Sequence, residues 1–339
     1  MNLEQIAKLS GVSRSTVSRV INDDPRVSED TRSRVSQVIQ QLNYQPNAAA
    51  RSLAGGHTAI LGLVIPTGVS SVFSDPYFPN LIRGISAASR EQNYSVMLWL
   101  AEPDYERRTI MQVLMNGFID GIIVSSFPID ETMVEALSKS GLPFILVGRD
   151  PSHPAVSYVD VENRRGAVEA VTHLIRMGRR RIAHISGPLN TVVGMDRRDG
   201  YLEALKTRGV IYDPALNIEG NFSEEDGYSI TKMLLPNHPD AIFAASDAMA
   251  LGSLRALREA GKRIPEDVAV IGFDDMPFSA NAEPPLTTIR QPIQRTGRFA
   301  AQTLIDMVQH PEDQLARRIL LPTELVIRKS CGALQTELV

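Results

Sequence analysis

The sequence predicts an all-α unit at the N-terminus, followed by an α/β core of two lobes, each a doubly wound parallel sheet. Apolar residues recur at helical spacing within residues 1–46, with turn residues between the runs. Gly55 and Gly56 then precede an apolar run at 59–65, and paired glycines before a strand mark a break. From there to residue 330, apolar runs alternate with helical stretches, which is typical of parallel sheets covered on both faces. About 270 residues are long for one such sheet, so two lobes are expected.

Composition and charge limit the classes of protein that the chain can represent. Its 339 residues include 35 Lys+Arg and 39 Asp+Glu, a formal net charge of −4. Residues 1–55 hold seven Lys/Arg and five acids, a balance of +2 that leaves −6 for the remainder. A local basic face is therefore compatible with an acidic chain. The single cysteine, Cys331, excludes an intramolecular disulfide and a cysteine-based metal cluster.

The location of the protein is predicted from two missing signals. No apolar run approaches the ~18–20 residues needed to span a bilayer. The N-terminal run MNLEQIAKLSG lacks the basic and apolar regions of a secretory signal. We therefore expect a cytoplasmic protein without membrane contact.

Three helices are predicted within residues 1–46, with a tight turn at Gly11 between the first two. Ser13 is placed to cap the second helix and Ser28 the third. Two helices and a Gly-containing turn within about 20 residues have the spacing of a helix-turn-helix. The apolar faces of the three helices are predicted at Leu3, Ile6, Ala7 and Leu9, at Val17, Val20 and Ile21, and at Val35, Val38, Ile39 and Leu42.

The second helix carries the side chains best suited to contact DNA. A helix in the major groove reads base edges with outward residues near its N-terminus, and arginine can bond guanine through two atoms. The outward residues here are Arg14, Ser15, Ser18 and Arg19, while Thr16, Ser28 and Arg32 suit phosphates, which fix register. The alternative is a solvated helical hairpin with surface arginines.

Residues 47–55 predict a short fourth helix, preceded by Pro46 and ended by Gly55. One or two turns are too few for stability in isolation. On DNA, Leu53 could wedge between base steps in the minor groove and kink the duplex. The alternative is a linker whose Leu53 packs on the next domain.

The core contains seven predicted strands, and ligands of such folds bind beyond the carboxyl ends of the strands. The strands are predicted at 59–65, 95–100, 121–124, 144–147, 182–186, 241–245 and 268–273. Aromatic, acidic and arginine side chains follow them, a set that suits a polyhydroxylated ligand. Each such residue could instead be a solvated loop residue or a helix cap, Ser246 and Asp247 above all.

Signals for catalysis are weak. The sequence holds no phosphate-binding loop, dinucleotide fingerprint, HExxH or GxSxG motif. None of its six histidines pairs with another at metal-ligand spacing. We therefore expect no enzyme, no metal and no cofactor.

The run GVSRSTVSRVIN at 11–22 resembles the lactose-repressor (LacI/GalR) family of bacterial transcription regulators. The likeness continues in VSEDTR at 27–32, LNYQPN at 42–47 and ARSL at 50–53. In the core it includes DPYF at 75–78, RRDGY at 197–201, SDAMALG at 246–252, GFDD at 272–275 and PPLTTIRQ at 284–291. These motifs occur in order over nearly the whole chain, so the resemblance implies the family's fold and function.

The resemblance also implies roles for individual residues. Arg14, Ser15 and Arg19 would read operator bases, and 47–55 would be a hinge helix ordered on operator DNA, with Asn47 and Arg51 at the DNA and Leu53 as the wedge. The core would be periplasmic-binding-protein-like, with an effector cleft between its lobes. That cleft would be lined by Asp75, Tyr77, Phe78, Arg149, Arg197, Phe222, Ser246, Asp274 and Gln291. Two positions depart from the pattern, Ser246 in place of the usual Asn and Gly148 in place of a frequent Asp.

The expected division of the chain follows from these assignments. Residues 1–46 form the DNA-binding domain, 47–57 the hinge helix and linker, 58–330 the effector-binding and dimerisation core, and 331–339 a short C-terminal tail. The tail is too short for the coiled coil of tetrameric relatives, so a homodimer is expected. Two reading helices about one DNA turn apart would match a pseudo-palindromic operator on double-stranded DNA.

We expect a non-enzymatic repressor of carbohydrate-utilisation genes, on the nucleoid when bound to its operator, that a small sugar releases. Two alternatives stay open. A co-repressed regulator would bind a purine or a sugar phosphate, although a phosphate would need more cations than Arg149 and Arg197. A sugar-processing enzyme with an N-terminal helix-turn-helix would need an acid/base pair, for which Asp274 and Asp275 are the candidates.

Overall fold

The computed structural model describes residues 3–21, 24–42, 44, 57–66, 72, 75–100, 117–125, 128–129, 132–313 and 315–333. The helices are α1 Leu3–Ser10, α2 Arg14–Ile21, α3 Glu29–Gln41, α4 Tyr77–Glu91, α5 Thr132–Ser140, α6 Asn163–Arg176, α7 Val192–Thr207, α8 Glu224–Leu234, α9 Asp247–Glu259 and α10 Ile293–Gln309. The strands are β1 Ile60–Ile65, β2 Ser95–Leu100, β3 Gly121–Ser125, β4 Phe144–Val147, β5 Tyr158–Val161, β6 Ile182–Ser186, β7 Asn217–Glu219, β8 Ala241–Ala244, β9 Ala269–Asp274, β10 Thr287–Arg290, β11 Arg318–Leu321 and β12 Glu324–Val326. In these ranges, no helix is long and apolar enough to cross a membrane.

The first three helices pack around a small apolar centre, as the helical spacing predicts. Ile6, Val17 and Val35 are fully buried there, one from each helix. Gly11 joins α1 to α2 at φ +66°, a left-handed conformation that glycine adopts at little cost. The Thr16 N–H donates to the Ser13 hydroxyl at 3.2 Å, which is the predicted cap of α2.

Two details of the helical unit differ from the prediction. Leu9 is 63% exposed, because the short α1 turns that residue away from the other two helices. Ser28 occupies the N-cap position of α3, but its side chain makes no capping bond. Its hydroxyl instead donates to the Thr31 hydroxyl at 2.9 Å.

Each lobe of the core is a six-stranded sheet with helices on both faces. The first sheet has the order β11-β5-β4-β3-β1-β2 and is parallel throughout. The second has the order β12-β10-β9-β8-β6-β7. The predicted parallel sheets are confirmed, with one addition, because the edge strand β12 of this second sheet runs antiparallel to β10. After β11, the chain returns to the second lobe next to Arg290, at the carboxyl end of β10. The strand β12 begins there and therefore runs back along β10 in the opposite direction.

The lobes are interleaved along the chain, which passes between them three times. The crossings lie between β5 and α6, between β10 and α10, and between β11 and β12. The predicted strands are present with ends shifted by no more than about one residue. Five short strands were not predicted, namely β5, β7, β10, β11 and β12. Cys331 is buried in the apolar core of the second lobe, so that core extends beyond residue 330.

Candidate DNA-reading helix and effector cleft

The outward face of α2 presents the residues that the sequence selects for base contact. Val17 and Val20 are buried and fix the rotation of the helix. Arg14, Ser15 and Arg19 are consequently exposed together, while Thr16 and Ser18 are half-buried. Arg14 approaches Glu4 to 3.7 Å, but both side chains are about two-thirds exposed, so this ion pair is weak and easily exchanged for another partner.

The residues selected for phosphate contact differ from one another in exposure and in hydrogen-bond partners. Ser28 is exposed at the start of α3, where backbone N–H groups favour an anion. Arg32 is half-buried, and its guanidinium donates to the Asp24 carbonyl at 2.8 Å. That bond holds the turn before α3, so Arg32 is a structural residue as well as a candidate DNA contact. Asn47, Arg51 and Leu53 lie outside the described residues.

Arg197, on α7, lies at the centre of the second-lobe side of the cleft. Its side chain is only 4% exposed. Nε donates to Asn163 Oδ1 at 3.0 Å and Nη1 donates to the Ala245 carbonyl at 2.5 Å. The guanidinium stacks on the Phe273 ring at 3.6 Å from its centroid, a cation–π contact strengthened by burial. These contacts orient the guanidinium before any effector arrives.

Asp274 is the acidic partner of Arg197 and ends β9. Its Oδ1 lies 3.6 Å from Arg197 Nη1 and accepts a bond from Gln291 Nε2 at 2.6 Å. Burial raises the pKa of Asp274 well above its ordinary value, against the opposing attraction of Arg197. Asp274 and Asp275 have φ values of +125° and +58°, so the backbone is strained at this turn. Strain at a site residue signals a geometry that the surrounding structure enforces.

The first lobe contributes Asp75 and Tyr77 at the start of α4. The Tyr77 N–H donates to Asp75 Oδ1 at 2.9 Å. Burial raises the pKa of the Tyr77 phenol, and the charges of Asp160, Arg197 and Asp274 also act on it. The phenol is therefore close to charged groups of both lobes.

Phe78 follows Tyr77 at the start of α4. It is buried in the apolar core of the first lobe, at 7% exposure. Its ring packs edge-to-face against Tyr77, with ring centroids 5.4 Å apart. Phe78 thus supports Tyr77, and its assignment to the effector cleft stays a prediction.

Arg149 links the two lobes. Its Nη1 lies 2.7 Å from Asp160 of the first lobe, and its Nη2 lies 2.7 Å from Asp196 on α7 of the second. The Ile129 N–H, also of the first lobe, donates to the Asn190 carbonyl of the second at 2.7 Å. Gly148, which precedes Arg149, has a φ of +95°, a conformation in which an aspartate would be strained. The departure at Gly148 thus suits the backbone found there.

Phe222 and Ser246 complete the set of sequence-selected residues. The Phe222 ring lies against Gly187, where a Cβ atom would come within 2.0 Å of it, and its centroid is 5.9 Å from the Arg197 guanidinium. The Ser246 hydroxyl accepts from the Met249 N–H at 3.2 Å and so caps α9. Capping is the alternative that the sequence had left open for Ser246.

Two polar residues of the cleft were absent from the residues selected by sequence, while a third, Asp196, was expected there because it follows the strand at 182–186. Asp160 and Asn163 follow from β5, a strand that the sequence did not reveal, and Asp196 lies one residue before Arg197. A cavity of about 470 Å³ lies beside them, between the lobes. Of the residues that the resemblance assigns to the effector cleft, only Arg149 lines it, so this cavity adjoins the group around Arg197 and Asp274 and does not contain it. Its lining is Arg149, Tyr158, Val161, Glu162, Asn163, Arg164, Arg165, Val168, Asp196, Glu203 and Leu320.

The cleft presents hydrogen-bonding groups that are oriented by one another and by the backbone. In the described part of the chain, no three His, Cys, Asp or Glu side chains are grouped to hold a metal ion. A DNA-reading helix on one unit and a polar cleft between two lobes on another define a ligand-responsive transcription regulator.

Known proteins agree with this class. Residues 2–47 match the family described as bacterial regulatory proteins, lacI family, and residues 171–331 match a periplasmic binding protein-like domain. The HTH-type transcriptional regulator CelR of Thermobifida fusca is 38% identical over 97% of both chains. The HTH-type transcriptional repressor PurR of Haemophilus influenzae is 35% identical over 97% of this chain and 98% of its own.

Solved structures give the same result. The structure of a transcriptional regulator CelR-cellobiose complex is 37% identical, with a TM-score of 0.78 over 97% of this chain and 99% of that one. The lac repressor dimer bound to operator and the anti-inducer ONPF is 29% identical, with a TM-score of 0.86 over 98% of this chain and 99% of that one. The chain belongs to the lacI family of bacterial regulatory proteins and is a transcription regulator, not an enzyme.

Proposed function

We propose that this regulator is a repressor of carbohydrate-utilisation genes that leaves its operator when a neutral sugar binds between the lobes. The observation that carries the proposal is the charge of the cleft. Four carboxylates, Asp75, Asp160, Asp196 and Asp274, face two guanidinium groups, Arg149 and Arg197. Both guanidinium groups already have carboxylate partners, so neither is left to balance a phosphate or a carboxylate, and the oxygens of the set offer many acceptors to hydroxyl groups.

A relative of known structure supports a neutral sugar as the effector. A protein 37% identical over nearly the whole chain has been solved in complex with cellobiose. Cellobiose is neutral and rich in hydroxyl groups, and its sugar faces can stack on aromatic rings such as Tyr77 and Phe222. A β-linked disaccharide of this kind is the effector we propose to test first. Arg149, Arg197, Asp274 and Gln291 would bond its hydroxyl groups, with Asp75 and Ser246 at the edges of the site.

The DNA-binding side of the proposal assigns base reading to Arg14, Ser15, Ser18 and Arg19, and phosphate contacts to Thr16, Ser28 and Arg32. Residues 47–57 would connect this unit to the core, with Asn47 and Arg51 at the DNA and Leu53 between base steps. Two copies of the chain would bind a pseudo-palindromic operator. In the bacterial cytoplasm, the bound protein would be located on the nucleoid.

The experiment begins with in vitro selection of double-stranded DNA sequences by the purified full-length protein. Fluorescence anisotropy with the selected duplex, with and without cellobiose, then measures release. The expected result is a palindromic site and at least tenfold weaker affinity in saturating cellobiose, since coupling between sites is worth about 1–3 kcal/mol per ligand. Thermal unfolding with monosaccharides, other disaccharides, sugar phosphates and purines identifies the effector class. A ligand at 100 times its Kd adds about 2.7 kcal/mol to the free energy of unfolding.

The outcomes separate the alternatives. If only a purine or a sugar phosphate stabilises the protein and strengthens DNA binding, the protein is a co-repressed regulator and the proposed effector is wrong. If selection yields no enriched sequence, the base-reading assignment is wrong. Asp274→Asn serves as the control, because loss of a cleft carboxylate should weaken sugar binding and leave operator affinity unchanged.

A further inference from the structure

Asp247 is a buried carboxylate that has no part in the proposed effector contacts. It is the first residue of α9 and follows the capping residue Ser246. Its side chain is fully buried, and burial raises its pKa to about 6. Burial of a carboxylate costs free energy unless several hydrogen-bond donors compensate it. The donors that surround Asp247 therefore indicate its structural role.

The partners of Asp247 all lie in the segments that follow β9 or form β10. Oδ2 accepts from the Met276 N–H at 2.8 Å and from the Ser279 hydroxyl at 2.6 Å. Oδ1 accepts from the Thr288 hydroxyl at 2.5 Å. The Asp247 N–H itself points to Asp274 Oδ2, at 3.4 Å. The Asp247 side chain thus holds the segment that leaves the strained turn at Asp274 and Asp275, and its backbone N–H contacts the residue that enters it.

A glycine makes room for this carboxylate. A Cβ atom on Gly272 would come within 2.3 Å of Asp247 Oδ1. Any side chain at Gly272 would therefore displace the carboxylate from its donors. This close approach leaves the Asp247 carboxylate little room to move within the lobe.

The turn held by Asp247 also contacts the first lobe. Met276 is buried in the apolar cluster of that lobe together with Phe78, and Phe278 packs against the same cluster. Met276 Sδ lies 4.0 Å from Asn80 Nδ2 on α4, the helix that starts with Tyr77. The segment from Asp274 to Met276 therefore has the candidate effector contact at one end and the opposite lobe at the other.

We infer that Asp247 is the positioning residue that makes the Asp274–Met276 turn a rigid link between the effector site and the first lobe. Through its three accepted hydrogen bonds, contact of an effector with Asp274 is transmitted to α4. The part of this inference that concerns the effector rests on the proposed function. The part that concerns the rigidity of the turn does not.

The test uses the full-length protein and three variants. Asp247→Ala removes all three bonds. Asp247→Asn keeps them, because its amide oxygen can accept from Met276 and Ser279 while its nitrogen donates to the Thr288 hydroxyl. Ser253→Ala is the matched control, since Ser253 is equally buried on α9 but bonds Thr231 and the Met249 carbonyl.

The first readout is hydrogen exchange of the ligand-free protein in peptides covering 274–281. We expect exchange at least tenfold faster in Asp247→Ala, and exchange within threefold of the wild type in Asp247→Asn and Ser253→Ala. The second readout is cellobiose affinity by calorimetry, where Asp247→Ala is expected to be at least tenfold weaker. If Asp247→Ala does not fold, Ser279→Ala removes one of the three bonds, and a threefold rise in exchange is expected.

Unchanged exchange at 274–281 in Asp247→Ala, or in Ser279→Ala where that variant stands in, overturns the inference. Faster exchange together with wild-type cellobiose affinity overturns the effector part of it. If the wild type does not bind cellobiose but the exchange results hold, the proposed effector is wrong, and the rigid link is supported on its own.

Discussion

The guanidinium of Arg149 in the first lobe lies 2.7 Å from the carboxylate of Asp196 in the second. This ion pair holds the lobes together at one side of the cleft.

Asp196→Asn should weaken lobe closure and lower effector affinity about fivefold, or about 1 kcal/mol. The expected loss is this modest because the Arg149 side chain is 32% exposed and solvent screens the ion pair. Calorimetric titration with cellobiose measures the change. Asp267→Asn removes the Arg263–Asp267 pair, which lies within the second lobe and outside the cavity lining, and should leave effector affinity unchanged. Equal losses in the two variants would contradict a closing role for Arg149.

Arg14→Ala tests the reading face of α2. An arginine that bonds a guanine should cost about 1–3 kcal/mol at one operator position when it is removed, and should relax base preference there. Binding to a library with single base-pair changes measures the preference. Arg34→Ala is the matched control, because Arg34 is exposed on α3 and its loss should weaken all sequences alike. Uniform weakening by Arg14→Ala would show that Arg14 contacts phosphate and not bases.

Leu53→Ala tests the predicted wedge, in the segment outside the described residues. A shorter side chain should reduce DNA bending and specific affinity, and should leave nonspecific binding intact, because the unstacking of a base step needs an apolar side chain of sufficient length. The bend angle is measured by energy transfer between the ends of a labelled duplex. Leu53→Met preserves length and should retain the bend. The same bend angle with alanine would exclude the wedge.

His184 gives the protein a predictable response to pH. Its ring is fully buried between Tyr201 and Phe243, with centroid distances of 4.9 Å to each, and burial lowers its pKa to about 4. The unfolded chain binds a proton at His184 below about pH 6.5, whereas the folded protein does not. The stability that this group contributes is therefore complete above pH 6.5 and is lost as the pH falls toward 4.

His184→Phe should remove that dependence. Between pH 7 and pH 4, the wild type should lose up to about 3 kcal/mol of unfolding free energy relative to the variant. Urea unfolding at several pH values measures the difference. The raised pKa of Asp247 has the opposite sign, stabilising the fold as the pH falls, but it is present in both proteins and cancels. Parallel pH profiles for the two proteins would mean that the pKa of His184 is the same in the folded and unfolded chains.

The helical unit and most strands could be predicted from the sequence because their signals are local. The rotation of α2 follows from the spacing of Val17 and Val20, and the turn before it follows from Gly11. The central strands of both sheets are buried on both faces and read as continuous apolar runs. Much of the cleft was predicted only because the resemblance supplied roles for single residues.

The missed elements depend on partners that are distant in sequence. β10 contains Thr287 and Thr288, both fully buried, and their hydroxyl groups bond the Arg328 carbonyl and Asp247. β5 is four residues long and contains Asp160, whose charge is compensated by Arg149 across the sheet end. No local sequence pattern shows that a buried polar side chain will find its hydrogen-bond or ion-pair partner in a distant part of the chain.

The interleaving of the lobes has a consequence for synthesis on the ribosome. β5 of the first lobe ends at Val161, but its neighbour β11 is not complete until Leu321, after the whole second lobe except its C-terminal segment. At about 5–20 residues per second, the intervening stretch takes roughly 10–30 s to translate. The helices at 3–42 are contiguous in the chain and can fold during that interval, so each nascent molecule carries a formed reading helix before its sensor is complete.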